Sequence, residues 1–307
     1  MRNLFSAVTL LFLSLFLVQC QKDVSYIGGP DTGVTVPEPI SAILQGNIVD
    51  ENGQPDAGVL VRVGSQTATT DADGYFRIRN AALDKKAALV TAEKAGYYKA
   101  YRTFQATSGT NQVVIKLIPR DLTGTIDGAT GGDATTPEGL KIALPANGVV
   151  NAASGAAYSG PVEVYASFID PSAADIAERV PGSFMADDKN NRRVTLSSYG
   201  MMAVELQSPA GEKLQIKTGS AATITSPIPA SLQASAPATI ALWIVDEQTG
   251  IWKEEGSATK TGNSYVGQVK HFSFWNCDIS IPAVNVTMTV KDQGGHPLVH
   301  VLVRIKR

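Results

Sequence analysis

Histidine and cysteine are almost missing from this chain, with three and two copies in 307 residues. A zinc peptidase needs a histidine with a glutamate at fixed spacing, and none of His271, His296 and His300 has one. His296 and His300 stand four apart, but Pro297 and the alternating Val299, Val301 and Val303 make that stretch a turn and strand rather than a helix face. No metal site is expected. Gly-x-Ser-x-Gly, Cys-x-x-Cys and a Gly-rich phosphate loop are absent too, so hydrolase and nucleotide chemistry have no visible carrier, and neither catalytic residues nor cofactors are expected. Charge of one sign is also lacking. Lys and Arg number 26 against 28 Asp and Glu, which leaves no basic face for nucleic acid. Long amphipathic helical patterns do not occur. The nearest is 172–179 (SAADIAER), room for two turns after Pro171. What remains is a 44% hydrophobic chain, long enough for two domains with real cores.

One long apolar run exists. Arg2 precedes residues 4–18, which have the length of a signal-peptide core and are short for a membrane span. The run ends in Leu17, Val18, Gln19 and Cys20, followed by Gln21, Lys22 and Asp23. This resembles the lipobox of bacterial lipoproteins. Gln19 departs from the commoner Gly, Ala or Ser, and lipoproteins of the Bacteroidetes are looser there. The resemblance implies removal of residues 1–19 and acylation of Cys20. Lys22 and Asp23 resemble the short signal that carries such lipoproteins to the outer face of the outer membrane. Acyl chains would hold the protein to the membrane without a spanning helix, at roughly 0.8 kcal/mol per buried methylene. A spanning anchor or a secreted, unlipidated chain are the alternatives. With Cys20 lipidated, Cys277 is the only thiol left and no intrachain disulfide forms; no neighbour in sequence lowers its pKa, so a buried structural thiol is expected.

Residues 20–40 carry Gly28, Gly29, Pro30, Gly33, Pro37 and Pro39 without apolar periodicity, and read as a tether. From Ser41 the pattern becomes short alternating apolar runs broken by Gly, Asp and Asn, which predicts an all-β fold of tandem sandwiches. Val59, Val61 and Val63 point to one side of a half-buried strand, and Asp73-Gly74 makes a tight hairpin. The order Gly53-x-Pro55, β-branched strand, Thr70-Asp71-x-Asp73-Gly74-x-Phe76, then Ala95-Gly96-Tyr97 resembles the carboxypeptidase regulatory-like domain. That resemblance implies a transthyretin-like sandwich of about seven strands over residues 41–119.

A second β domain is expected over 120–282, with strands at 139–144, 161–168, 201–206, 222–225, 240–245 and 265–270. Leu144-Pro145, Tyr158-Ser-Gly-Pro161, Ser198-Tyr199-Gly200 and the 271–276 segment (HFSFWN) resemble part of cartilage intermediate layer protein, whose β domain likewise sits beside a regulatory-like module. The tail repeats the first module. Asp292, Gly295, Pro297 and Val301-Leu302-Val303-Arg304 match Asp50, Gly53, Pro55 and Val59-Leu60-Val61-Arg62. Residues 283–307 therefore read as the start of an incomplete second regulatory-like module, mobile or paired to a foreign edge.

Candidate ligand-binding residues are the aromatics Tyr97, Tyr98, Tyr101 and Trp252. The first three, with Phe104, could stack on a sugar ring, although Tyr97 and Tyr98 face opposite sides of a strand and one must be core. Trp252, after Thr249-Gly250, is expected to be partly exposed. Asp71, Asp73 and Gly74 look like the opening of a calcium loop but lack its later ligands, so a hairpin turn is preferred. Asp187, Asp188 and Asn190–Arg193 form a charged loop, read as a solvated face. The functional expectation is a non-enzymatic surface lipoprotein whose sandwiches bind a protein or glycan. The alternatives are an accessory carbohydrate-binding subunit of an outer-membrane uptake or glycan-degradation system, and an enzyme whose acidic pair converges in a cleft.

Overall fold

The computed structural model describes residues 37–282 and 289–298. The expected signal segment, Cys20, Lys22-Asp23 and the strand expected at 299–305 lie outside the described residues. The fold is all-β. Strands β1 (Pro39–Val49), β2 (Leu60–Val63), β3 (Gln66–Thr69), β4 (Tyr75–Asp84), β5 (Ala88–Glu93), β6 (Ala100–Phe104) and β7 (Thr110–Lys116) build a first sandwich. Its sheets run in the orders β4-β1-β7 and β3-β2-β5-β6, with β1 antiparallel to β4 and parallel to β7. The two inner faces bury Leu44, Ile48, Val61, Phe76, Val90 and Ile115, the set that period-two alternation assigns to one side of each strand. The first strand begins at Pro39, two residues before the module was expected to start at Ser41. Gly74 (φ 67) makes the expected hairpin corner, and the Asp71 carboxylate accepts the N–H groups of Asp73 and Tyr75 to hold it.

The second unit is one continuous sheet of fourteen strands that folds over on itself. These are β8 (Leu122–Asp127), β9 (Gly132–Thr135), β10 (Lys141–Leu144), β11 (Val149–Asn151), β12 (Ala157–Tyr158), β13 (Pro161–Ile169), β14 (Met185–Asp187), β15 (Arg193–Gln207), β16 (Lys213–Ile216), β17 (Ala222–Pro227), β18 (Thr239–Asp246), β19 (Ile251–Thr261), β20 (Ser264–Val269) and β21 (Phe274–Pro282). All six expected strands are present. The expected two-turn helix shrinks to the single turn α1 (Ile176–Arg179), because residues 171–175 enter it through turns rather than a helical cap. No helix among the described residues is long and apolar enough to cross a membrane.

Two apolar layers flank the central strands β15, β18 and β21. One is the interior of the folded sheet, with Met202, Leu242, Trp275 and Cys277. Burial pushes the Cys277 thiol well up, so it stays protonated. The other layer, on the opposite face, joins Met201, Ala203, Trp243, Trp252 and Phe274 to Tyr98, Tyr101 and Ile118 of the first sandwich. That layer is the junction of the two units.

Candidate functional site at the junction of the two sandwiches

The junction begins with β6, the edge strand of its sheet. Its Tyr101 and Thr103, both buried, face the second unit and alternate with Arg102 and Phe104. Tyr98 and Tyr101 each meet Phe274 edge-on, with ring centres 6.0 and 6.1 Å apart. Trp252 is fully buried, and its indole N–H donates to the Ser183 carbonyl at 2.8 Å. These placements correct the stacking surface expected of Tyr98 and Tyr101 and the partial exposure expected of Trp252. The rings of Tyr98 and Tyr101 have the second unit against them, Trp252 is buried within that unit, and none of the three offers an open face. Tyr97 alone is half-exposed, with its hydroxyl donating to Glu51 Oε2 at 2.7 Å. That bond, with partial burial, pushes its pKa up to about 12.

The backbone closes the same seam. Gly182 adds to the edge of β6: its N–H donates to the Tyr101 carbonyl and its carbonyl accepts the Thr103 N–H, at 2.8 and 2.9 Å. Thr103 Oγ1 lies 3.1 Å from the carbonyls of both Thr249 and Gly250. Gly182 and Gly250 adopt φ of 69 and 65. A Cβ on Gly250 would overlap Thr103 Oγ1, and one on Gly182 would overlap the Gly250 carbonyl, so only glycine permits this approach. Pairing an otherwise open edge in this way also removes a site for aggregation.

The linker is pinned by Arg120. Its backbone N–H donates to the Gly96 carbonyl, its Nε to Glu205 Oε2 at 2.6 Å and its Nη2 to Gln207 Oε1 at 2.8 Å. The guanidinium carbon sits 3.7 Å from the centre of the Tyr165 ring. Lys116 of β7 reaches Asp175 at 2.8 Å, and this hydrogen bond helps hold the Asp175 carboxyl below its usual value.

Docking of the units leaves a cleft of about 380 Å³ along one side of the seam. Phe272, Phe274 and Leu214 floor it, and Lys99, Glu205, Lys213 and Glu247 stand at its rim. A neighbouring hollow of about 450 Å³ shares Lys99 and Glu205 and continues to Lys94, Tyr97 and Arg120. Burial, and after it the nearby Glu247 carboxylate, keep the Tyr101 phenol well above its ordinary pKa. Gln215 braces one wall, with its amide oxygen accepting the Phe272 N–H at 2.8 Å and its nitrogen donating to the Phe272 carbonyl at 3.1 Å. An apolar floor under a few polar rim groups is the usual make-up of a ligand cleft. Tyr98 and Tyr101 thus lie beneath the cleft, buried rather than open to stacking. Glu205, Lys213 and Glu247 carry no sequence signal, since no motif marks any of them.

The charged segment at 187–193 is a fastened turn. Asp188 accepts the N–H groups of Asn190 and Arg192 and pairs with the Arg192 guanidinium at 2.7 Å, while Arg193 pairs with Asp187 at 2.6 Å. Its acids are therefore committed to holding the β14–β15 connection.

Residues 43–117 match the carboxypeptidase regulatory-like domain family. Cartilage intermediate layer protein 2 from Homo sapiens is 32% identical over 127 residues, and its Mus musculus counterpart 31% over 132, covering 40% and 43% of this chain. The chain spans about a tenth of the length of these relatives, 10% and 11%. Among solved structures, a candidate carbohydrate binding protein from Bacteroides uniformis aligns over 80% of this chain and 100% of its own, at 13% identity and a TM-score of 0.22. A candidate membrane-associated protein of unknown function from Bacteroides fragilis aligns over 80% and 99%, at 10% identity and the same score. A score that low does not establish a shared overall fold.

Proposed function

We propose that this chain is a non-enzymatic binding protein, anchored at the outer face of the outer membrane through a lipidated Cys20, that takes a protein or glycan partner in the cleft between its two sandwiches. The observation that carries the reading is the junction itself. Tyr98, Tyr101, Trp252, Gly182, Gly250 and Arg120 fix one unit against the other, so the cleft is a preformed surface that costs little ordering to occupy. Its rim alternates cationic Lys99 and Lys213 with anionic Glu205 and Glu247 over an apolar floor, which suits a polar ligand with an apolar underside. A pyranose and an extended peptide both have that character. A family known for a regulatory rather than a catalytic module, over residues 43–117, agrees with a binding role.

The test is an amide-shift titration of the isotope-labelled chain with a panel of neutral and acidic oligosaccharides and of extended peptides. Saturable shifts should centre on Lys99, Glu205, Gln215 and Ser273, and the substitution pair Lys99→Ala and Glu247→Ala should abolish them without altering the melting temperature. Saturable shifts confined to another face would contradict the cleft reading.

A further inference from the structure

A sheet ends safely where its last strand is short, charged or covered, because unpaired N–H and C=O groups are otherwise a template for another chain. The first sandwich covers its ends. Gln66 of β3 ties that edge to β4, with its amide nitrogen donating to the Asn80 carbonyl and its oxygen accepting the Ala82 N–H, both at 2.9 Å. Arg102 Nη2 of β6 reaches the Val114 carbonyl of β7 at 3.3 Å, and Gly182 pairs with the outer side of β6. In the second unit the sheet ends at β12, β9 and β8. Strand β12 is two residues long, and β9 is four with Asp133, which pairs with Lys141 at 3.5 Å.

Strand β8 is guarded in neither way. It runs six residues, 122–127 (LTGTID), with no charge before Asp127, and among the described strands it bonds only to β13. The Gly128 N–H donates to the Gly160 carbonyl at 3.0 Å and Pro161 has no N–H, so in the register that pairs Asp127 with Pro161 the ladder bonds fall on Ile126 and Gly124. The Thr125 N–H and carbonyl therefore point away from β13. At its start β8 parts from β13, and Thr123 Oγ1 caps the gap by accepting the Ala166 N–H at 2.9 Å and donating to the Ala166 carbonyl at 3.1 Å. There a hollow of about 620 Å³ opens, bounded by Leu122, Pro137 and Phe168 and by the acids Asp121 and Glu138. Leu122 is 53% exposed, and neither acid has an ion-pair or hydrogen-bond partner for its carboxylate among the described residues. The cation of the lining, Arg179, is paired with Asp175 at 3.8 Å.

We infer that β8 is a docking edge for an extended segment of another protein, which adds as a strand beside Thr125, sets an apolar side chain on Leu122, Pro137 and Phe168, and places a basic side chain by Asp121 and Glu138. Edge-to-edge pairing of two copies of this chain is disfavoured, because a second β8 would bring Asp121 and Asp127 and no cation to those acids. The site is separate from the junction cleft, with which it shares no lining residue.

The probe is the capped heptapeptide TVKLKVT, titrated into the isotope-labelled full chain and followed by amide shifts. Saturable shifts should centre on 121–126 and Phe168. The acidic counterpart TVELEVT, and TVKLKVT carrying N-methyl groups on alternate residues, should each bind at least about tenfold more weakly. The methylated arm needs no variant of the chain. Asp121→Lys with Glu138→Lys should weaken TVKLKVT and strengthen TVELEVT by a similar factor at an unchanged melting temperature. Equal binding of the acidic or the methylated peptide, shifts centred on another face, or no saturable shift with TVKLKVT at millimolar concentration would overturn the inference. So would a dimer of the unaltered chain in sedimentation that Thr125→Pro returns to monomer, since the edge would then belong to a second copy.

Discussion

Asp278 lies on β21 with no measurable exposure, and neither oxygen of its carboxyl finds a hydrogen-bond partner among the described residues. Burial pushes its pKa well above the ordinary carboxylate value. A folded pKa above the unfolded one means that the native state binds the proton more tightly. The associated stability is complete below the unfolded value of about 4 and is lost as pH rises toward the folded pKa. Asp278→Asn cannot ionise, so the melting temperature of that variant should gain on the unaltered chain from pH 4 upward. Between the two pKa values the folding equilibrium should shift about tenfold per pH unit. A difference in melting temperature that stays constant from pH 4 to 9 would show that Asp278 is not held neutral.

Between elements, the junction depends on an edge strand, a linker residue and a two-glycine contact. Arg120→Lys keeps the charge but loses the forked contact to Glu205 and Gln207 and the stacking on Tyr165, at a cost of about 1–2 kcal/mol. Urea unfolding should show this as a lower midpoint with unchanged slope. The strands legible in the sequence are those whose burial alternates, such as β2 and β17. The same signal misleads on β21, where Asn276, Asp278 and Ser280 take every second position like a wet face although residues 274–278 are buried on both sides of the sheet. Tyr98, Tyr101 and Trp252 were legible as important aromatics, but not as junction. Their burial depends on Phe274, Gly182 and Gly250, which are distant in sequence and join them only through the topology of the second unit. The turns at Asp50 and Asp292 were legible because Asp, Gly and Pro at fixed spacing dictate them locally, and in each the Asp N–H donates to the carbonyl four residues on.

For the whole molecule, the regulatory-like sandwich and the larger folded sheet act as one body, and the candidate cleft exists only because they do. Aromatic burial, the Thr103 and Gly182 bonds and the Arg120 fork each span the seam, so melting of either unit removes partners from the other. Contacts of this kind couple two domains into one transition, whereas a loosely linked pair melts separately. Scanning calorimetry of the full chain, alone and with Gly250→Val, measures this coupling most directly. The unaltered chain should show one transition whose calorimetric and van't Hoff enthalpies agree, and Gly250→Val, which drives a side chain into Thr103, should split it into two. Two transitions in the unaltered chain, with Gly250→Val changing neither, would contradict the account.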